Sequence, residues 1–240
     1  MRWMVFAKRN IKEMLRDPLT LFFGVGFPVI LLLLLTMIQR HIPVSIFELD
    51  SLTPGIVVFG YSFLALFAAL LVSKDRGTSF LTRLFVSPMT AADFILGYLL
   101  PMLPMAVAQC LLTYLVAGLL GMTLTVRVLL AGALSLLTAV LFISLGLLLG
   151  SVLNDKQVGG ICGALLTNLS AWLSGTWFSL DLIGGWFKRI AFWLPFANGV
   201  ELGRAAIAGT SLLPWLWWCL GYALVLTVAA IWVFRRKMRA

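Results

Sequence analysis

Residues 73–93 read S-K-D-R-G-T-S-F-L-T-R-L-F-V-S-P-M-T-A-A-D, a polar, basic island carrying Lys74, Asp75, Arg76, Arg83 and Asp93 in an otherwise apolar chain. The runs on either side, 52–72 and 94–120, are long enough to cross a bilayer, which takes about 17–25 residues. The flanks therefore pin the island at one membrane surface.

Composition extends this reading to the whole chain. Hydrophobic residues make up 62% of the 240 positions and charged residues 11%, with a mean hydropathy of +1.05; soluble domains run near about 45–50% apolar and about 25% charged. The expected fold is all-α and integral to the membrane, a single membrane domain over 1–240 with no polar block large enough for an appended soluble domain. The net charge of +9 and pI near 10.0 do not point to nucleic acid, because the basic residues gather at the ends of apolar runs. Cys110, Cys162 and Cys219 each sit inside an apolar run without metal-ligand spacing, so they are expected as small buried hydrophobes, and no metal site is expected.

Outward from the island, residues 1–17 place Trp3, Phe6, Ala7, Ile11, Met14 and Leu15 on one helical face, with Arg2, Lys8, Arg9, Lys12 and Arg16 around the rest. That pattern predicts an amphipathic helix lying in the membrane interface. Six spans are expected, at about 21–38, 52–72, 94–120, 128–150, 158–180 and 215–234. Pro28 is expected to kink the first, and Pro101 and Pro104 to bend or break the third, since each proline removes a backbone donor. Residues 151–157 form a second, smaller polar island. The region 181–214 is apolar enough to suggest a further span, yet it holds Lys188, Arg189, Glu201 and Arg204. Each charge near mid-bilayer costs roughly 2.5–3.5 kcal/mol, and Pro195 and Gly199 interrupt the run. The expectation there is two short re-entrant helices that dip into one leaflet and return.

The positive-inside rule tests the span count. Six spans put Arg2, Lys8, Arg9, Lys12, Arg16, Lys74, Arg76, Arg83, Lys156, Arg235, Arg236, Lys237 and Arg239 on one side, against Arg40, Arg127, Lys188, Arg189 and Arg204 on the other. Thirteen against five supports both termini inside, and the expected location is the plasma membrane, crossed several times with both termini cytoplasmic. Trp177, Trp186, Trp193, Trp215, Trp217 and Trp218 fall near the other face, as an interfacial belt would.

Catalysis within the chain is not expected. The one histidine, His41, lies in the 40–51 loop, and neither G-x-S-x-G, H-E-x-x-H nor a Walker A sequence occurs. The six spans as drawn contain no Asp, Glu, Lys, Arg or His, which argues against an ion-coupled carrier, because proton and cation coupling uses ionisable groups inside the membrane. Gln109, Asn168, Ser170 and Ser174 remain as polar residues that line a substrate path or join helices; the interhelical role is the commoner one.

The island itself has the form of a short rod bounded by breakers. Gly77 ends one helix, Thr78 or Ser79 caps the next, and Pro88 stops it. Phe80, Leu81, Leu84 and Phe85 recur at helical spacing and suit a groove on a partner, with Arg76 and Arg83 at its rim; the alternative is a loop helix resting on anionic lipid. Glu201 and Arg204, at i,i+3, form either a structural pair holding an outer cap, the commoner case, or a gate or substrate contact.

The stretch D-R-G-T-S-F-L-T-R-L-F-V-S-P over 75–88 resembles the segment between the second and third spans of ABC-2 type exporter permeases. The likeness continues in the amphipathic helix before the first span, in L-S-G at Leu173, Ser174 and Gly175, in L-P at Leu194 and Pro195, and in E-L-G-R ending at Arg204; it covers essentially the whole chain. One departure is Ser179 and Leu180, where many relatives carry proline. The resemblance implies that 73–93 is a cytoplasmic coupling helix docking on a separate ATP-binding cassette subunit through Arg76, Gly77, Thr78, Phe80, Leu81, Arg83, Leu84, Phe85 and Pro88, with Asp155 and Lys156 of the second island. It also implies that ATP and magnesium are bound by that subunit, that no cofactor is held here, and that a second permease copy or a relative completes the pore. An amphipathic drug, antibiotic or lipid-like molecule is the expected cargo; lipid-linked glycans are the cargo of some relatives. An ion-coupled carrier and a non-transporting scaffold stay as alternatives from other classes.

Overall fold

The computed structural model describes residues 2–43, 47–78 and 89–239, and among these every regular element is helical. Helix α1 spans Arg2–Arg16. A second helical run follows as α2 (Pro18–Leu21), a π-helical turn (Phe22–Gly26) and α3 (Phe27–Gln39). Then come α4 (Leu49–Gly77), α5 (Ala91–Leu119), α6 (Val126–Val152), α7 (Asp155–Val158), a π-helical stretch (Gly159–Leu166) and α8 (Thr167–Leu173). Three shorter helices, α9 (Leu180–Ile183), α10 (Gly185–Trp193) and α11 (Pro195–Ala208), precede the last, α12 (Leu213–Arg239).

Among the described residues, Pro18–Gln39, Leu49–Gly77, Ala91–Leu119, Val126–Val152 and Leu213–Arg236 are long and apolar enough to cross a membrane. Helix α4 is the hub: 83% of its most apolar window is buried, against 22% for the run ending in α3 and 17% for α12. A helix apolar on all sides is stable at the centre of a bundle or against lipid. Here α4 takes the centre, while α3 and α12 turn Ile30, Leu34, Met37, Leu224, Val225 and Val228 outward.

Small residues set the closest contact. A Cβ built on Gly146 would lie 2.1 Å from the carbonyl oxygen of Ala65, and one on Gly150 would lie 2.5 Å from that of Ala69. The G-x-x-x-G of α6 therefore faces an A-x-x-x-A of α4, and their backbones meet with no side chain between them. The other G-x-x-x-G behaves differently. A Cβ on Gly159 would meet nothing within 4 Å, and one on Gly163 only ordinary contacts with Leu66.

Several expected boundaries are corrected. The irregularity of the first span falls at Phe22–Gly26, one turn before Pro28, where the Phe27 N–H reaches back to the Phe22 carbonyl. A proline ring crowds the carbonyl four residues earlier, and a wider π turn there relieves that crowding. Pro101 and Pro104 do not break their helix, which runs unbroken over Ala91–Leu119. The span expected over 158–180 is helical only as far as Leu173, starts in the polar α7, and is not among the five apolar crossing candidates. Its glycines favour neither α-helix nor tight packing, and the backbone there widens into π turns over Gly159–Leu166. The amphipathic helix is present, but its buried face differs from the expected one: Phe6, Ala7, Asn10 and Met14 are buried, whereas Ile11 and Leu15 are exposed.

Candidate functional site: the island end of the bundle

Helix α4 does not stop where its apolar run does. Ser73, Lys74, Asp75, Arg76 and Gly77 all belong to it, so the first part of the island extends a rod that starts at Leu49. Thr78 ends it, with its hydroxyl donating to the Asp75 carbonyl at 3.0 Å. Beyond the undescribed 79–88, Thr90 and Asp93 form a reciprocal capping box at the start of α5, which satisfies two of that helix's orphan donors. Asp93 is thus a helix cap, and the expected coupling positions Phe80, Leu81, Arg83, Leu84, Phe85 and Pro88 lie outside the described residues.

Asp75 is 4% exposed, and a buried carboxylate persists only if it is paired and hydrogen-bonded. Arg9 of α1 supplies both needs, donating to Asp75 Oδ2 at 2.6 Å and to Oδ1 at 2.8 Å. The Tyr98 hydroxyl of α5 donates to Oδ2 at 2.8 Å. Arg9 also pairs with Glu13 at 2.8 Å. Burial disfavours the Arg9 charge, but the Asp75 hydrogen bond and charge outweigh it and hold the guanidinium above its ordinary value.

Asn10 explains how α1 seats on α5. Pro101 has no N–H to give the carbonyl of Gly97, four residues before it, and Asn10 Nδ2 donates to that carbonyl at 2.9 Å. Gly97 also leaves room for the Phe6 ring: a Cβ there would lie 2.4 Å from Phe6 Cδ1. The ring packs edge-on against Phe94 and Tyr98, at 5.8 and 4.8 Å between centroids. Phe94 meets Phe234 of α12 at 5.4 Å, which brings the C-terminal helix to the same end.

Arg76 turns the other way. Its Nη1 donates to the Gly150 carbonyl at 2.8 Å and to the Leu153 carbonyl at 3.3 Å, so it caps the end of α6, where unpaired carbonyls and the helix dipole favour a cation. Arg76 therefore joins the two islands and does not stand free at a rim. Asn154 and Gln157 cap α7 reciprocally, leaving Asp155 and Lys156 exposed in its first turn. A concavity of about 450 Å³ opens between the islands, lined by Ser73, Arg76, Gly77, Leu153, Asn154, Asp155 and Lys156. It gathers four residues that the sequence reading named in two separate segments.

The opposite end of the bundle is held by Arg204. Its Nε donates to Ser51 O at 3.1 Å, Nη1 to Glu201 Oε1 at 2.8 Å and Nη2 to Gly175 O at 2.8 Å. The expected Glu201–Arg204 pair exists, as one arm of a clamp joining α11 to α4 and to the turn at Gly175, whose φ is +71°. Asp181 pairs with Lys188 beside it.

The polar residues of the interior behave unequally. Gln109 joins helices, its Nε2 donating to Val57 O at 3.0 Å across the notch that Gly60 leaves open. Asn168 does not: it is exposed, and its amide bonds Ala164 O of the preceding turn at 2.7 Å. Ser174 is buried, with its hydroxyl 2.6 Å from that of Thr176 two residues on, a contact within one turn of chain. Sequence reasoning missed Asn10 and Tyr98, and it named Arg9 without its partner Asp75. For Asn10 the available signal was Pro101, which leaves a carbonyl that some donor must meet.

The described residues define an all-α membrane domain whose polar end is tied together by ion pairs and caps. Residues 1–208 match the ABC-2 type transporter family, and the chain belongs to that family. It is accordingly a permease subunit of an ABC transporter, a kind that normally works with an ATP-binding cassette subunit. The match ends at Ala208, the last residue of α11, so α12 lies beyond it. A comparison with curated proteins finds no match.

Proposed function

We propose that this chain is the membrane-spanning half of an ATP-driven exporter, moving an amphipathic drug, antibiotic or lipid-like molecule out of the cytoplasm. In this reading the island end faces the cytoplasm of a plasma-membrane protein that crosses six times, by the five long apolar helices and by the glycine-rich helical run over 155–173, with both termini inside. An ATP-binding cassette subunit docks against residues 73–93 and the exposed Asp155 and Lys156. That subunit binds ATP and magnesium and hydrolyses ATP; the permease contributes no catalytic residue, and a second permease copy or a relative forms the other wall of the path.

One observation carries the proposal: the ends of α4, α5 and α6 are joined to one another and to α1 by Arg9–Asp75–Tyr98 and by Arg76 on Gly150 and Leu153. A push on the island therefore moves helices, where a loose loop would absorb it. The gathering of basic residues at this end accords with a cytoplasmic face. An ion-coupled carrier would need ionisable groups in mid-bilayer, and along α4, α5 and α6 the charged residues stand near the helix ends.

The test is to purify the chain with its ATPase subunit in lipid and screen amphipathic compounds for stimulated ATP hydrolysis. Stimulated turnover that requires both proteins supports the exporter. Transport that collapses with an ion gradient and needs no ATP supports a carrier, and no substrate-dependent turnover supports a scaffold.

A further inference from the structure

The side chains of α1 divide into three sectors at helical spacing. Phe6, Ala7, Asn10 and Met14 are buried against the bundle. Next round the helix, Met4, Ile11 and Leu15 form an exposed apolar sector, at 48%, 36% and 60% exposure. Beyond it Lys8, Lys12 and Arg16, four residues apart, form an exposed basic stripe that also holds Val5. Among the described residues no carboxylate lies within ion-pair distance of these three cations. The nearby carboxylates are already engaged: Glu13 pairs with Arg9, and Asp17 accepts from Leu19 N and Thr20 Oγ1.

This layout fits a lipid leaflet better than a protein surface. Arg16 stands two residues before Pro18–Gln39, a helix long and apolar enough to cross the membrane, and Leu19 and Phe22 at its start are exposed, at 63% and 46%. The exposed apolar sector of α1 thus runs beside a membrane-crossing segment. A helix with an apolar sector flanked by cations lies with the first in the acyl boundary and the second among headgroups.

We propose that anionic phospholipid headgroups seat on the Lys8, Lys12 and Arg16 stripe and, through Arg9, steady Asp75 and the first residues of the island. Arg9 is the edge of the same basic surface and the residue that grips Asp75. Ordering α1 on anionic lipid therefore orders the α4 end, and the charge of the leaflet sets how firmly the coupling segment is held. The lipid seat stands on the geometry alone; its effect on coupling rests on the proposed docking of an ATPase at the island.

The experiment needs only the full chain, in bilayer discs of phosphatidylcholine or of phosphatidylcholine mixed with phosphatidylglycerol, read by amide hydrogen exchange. Each basic residue near an anionic surface favours association roughly fivefold, so three together give on the order of 100-fold. Exchange over 8–16 is expected to slow on the order of tenfold in the anionic discs, less so at high salt, with a parallel slowing over 73–78. A variant carrying Lys8→Gln, Lys12→Gln and Arg16→Gln should lose the difference between lipids, and one carrying Lys8→Arg, Lys12→Arg and Arg16→Lys should keep it. Equal exchange in both lipids, or equal behaviour of the two variants, overturns the seat. Protection that appears only on adding the ATPase subunit assigns the stripe to a protein partner and likewise overturns it. Slowing at 8–16 with none at 73–78 overturns the link through Arg9. Failure of the exporter reading would show separately, as absence of an associating ATPase whatever the lipid.

Discussion

Arg9 and Asp75 stand 66 positions apart and form a two-pronged ion pair at 2.6 and 2.8 Å, in which the carboxylate is almost wholly buried and the guanidinium partly exposed. Removing one partner of a buried pair leaves an uncompensated charge and costs about 3–5 kcal/mol. Arg9→Gln is expected at the lower end of that range, because Tyr98 still donates to Asp75. The double variant Arg9→Gln, Asp75→Asn should cost less than the two single changes added together. Thermal unfolding in detergent of the two single variants and the double one measures this, and strict additivity would refute the pairing.

Asn10 makes a sharper test, because it meets a carbonyl that a proline left without a donor. Asn10→Leu should destabilise by about 1–3 kcal/mol, the cost of an unsatisfied buried acceptor. Combined with Pro101→Ala, which restores a backbone donor for the Gly97 carbonyl, Asn10→Leu should cost measurably less. Paired melting curves decide it.

The Arg76 fork caps α6 through two carbonyls. Arg76→Gln should loosen the last turn by about 1 kcal/mol, and amides over 150–156 should exchange about fivefold faster. Arg76→Lys should recover part of this effect, because a single ammonium keeps the charge but not the fork. If exchange over 150–156 is unchanged in Arg76→Gln, the cap contributes nothing.

The two G-x-x-x-G motifs should answer substitution in opposite ways. Gly146→Ala sets a methyl against the Ala65 carbonyl and is expected to cost about 1–3 kcal/mol by overpacking. Gly159→Ala meets open space and should be neutral or slightly stabilising, because alanine favours helix by up to about 1 kcal/mol over glycine. Equal effects would mean that the α4–α6 contact is looser than the backbone approach implies.

At the far end Arg204 holds two backbone carbonyls besides Glu201. Arg204→Ala should therefore destabilise more than Glu201→Gln, by at least about 1 kcal/mol. The reverse order would favour a gate built on the ion pair over a clamp built on the arginine.

What could be read from sequence was what is local. Apolar runs marked most of the crossing helices, the breakers around Gly77 marked the end of α4, and i,i+3 spacing found Glu201 and Arg204. The rest depends on which surfaces meet. Hydropathy ended the second span near Val72, but Asp75 and Arg76 stay helical because Arg9 and the end of α6 satisfy them, and no local pattern carries that information. The prolines of α5 read as points of bending or breakage, yet the helix runs on, and Asn10 from another helix meets the carbonyl that Pro101 frees. Asn168 looked like its buried counterpart Gln109, and only the packing shows that it faces outward.

The central claim is that force enters this permease at the island. The most direct measurement replaces Phe80, Leu84 and Phe85 by polar residues and follows both co-purification with the ATPase subunit and substrate-stimulated ATP hydrolysis. The account predicts that assembly is lost, or that hydrolysis continues without responding to substrate, while the isolated permease melts as before. Unchanged assembly and unchanged stimulated turnover would contradict it.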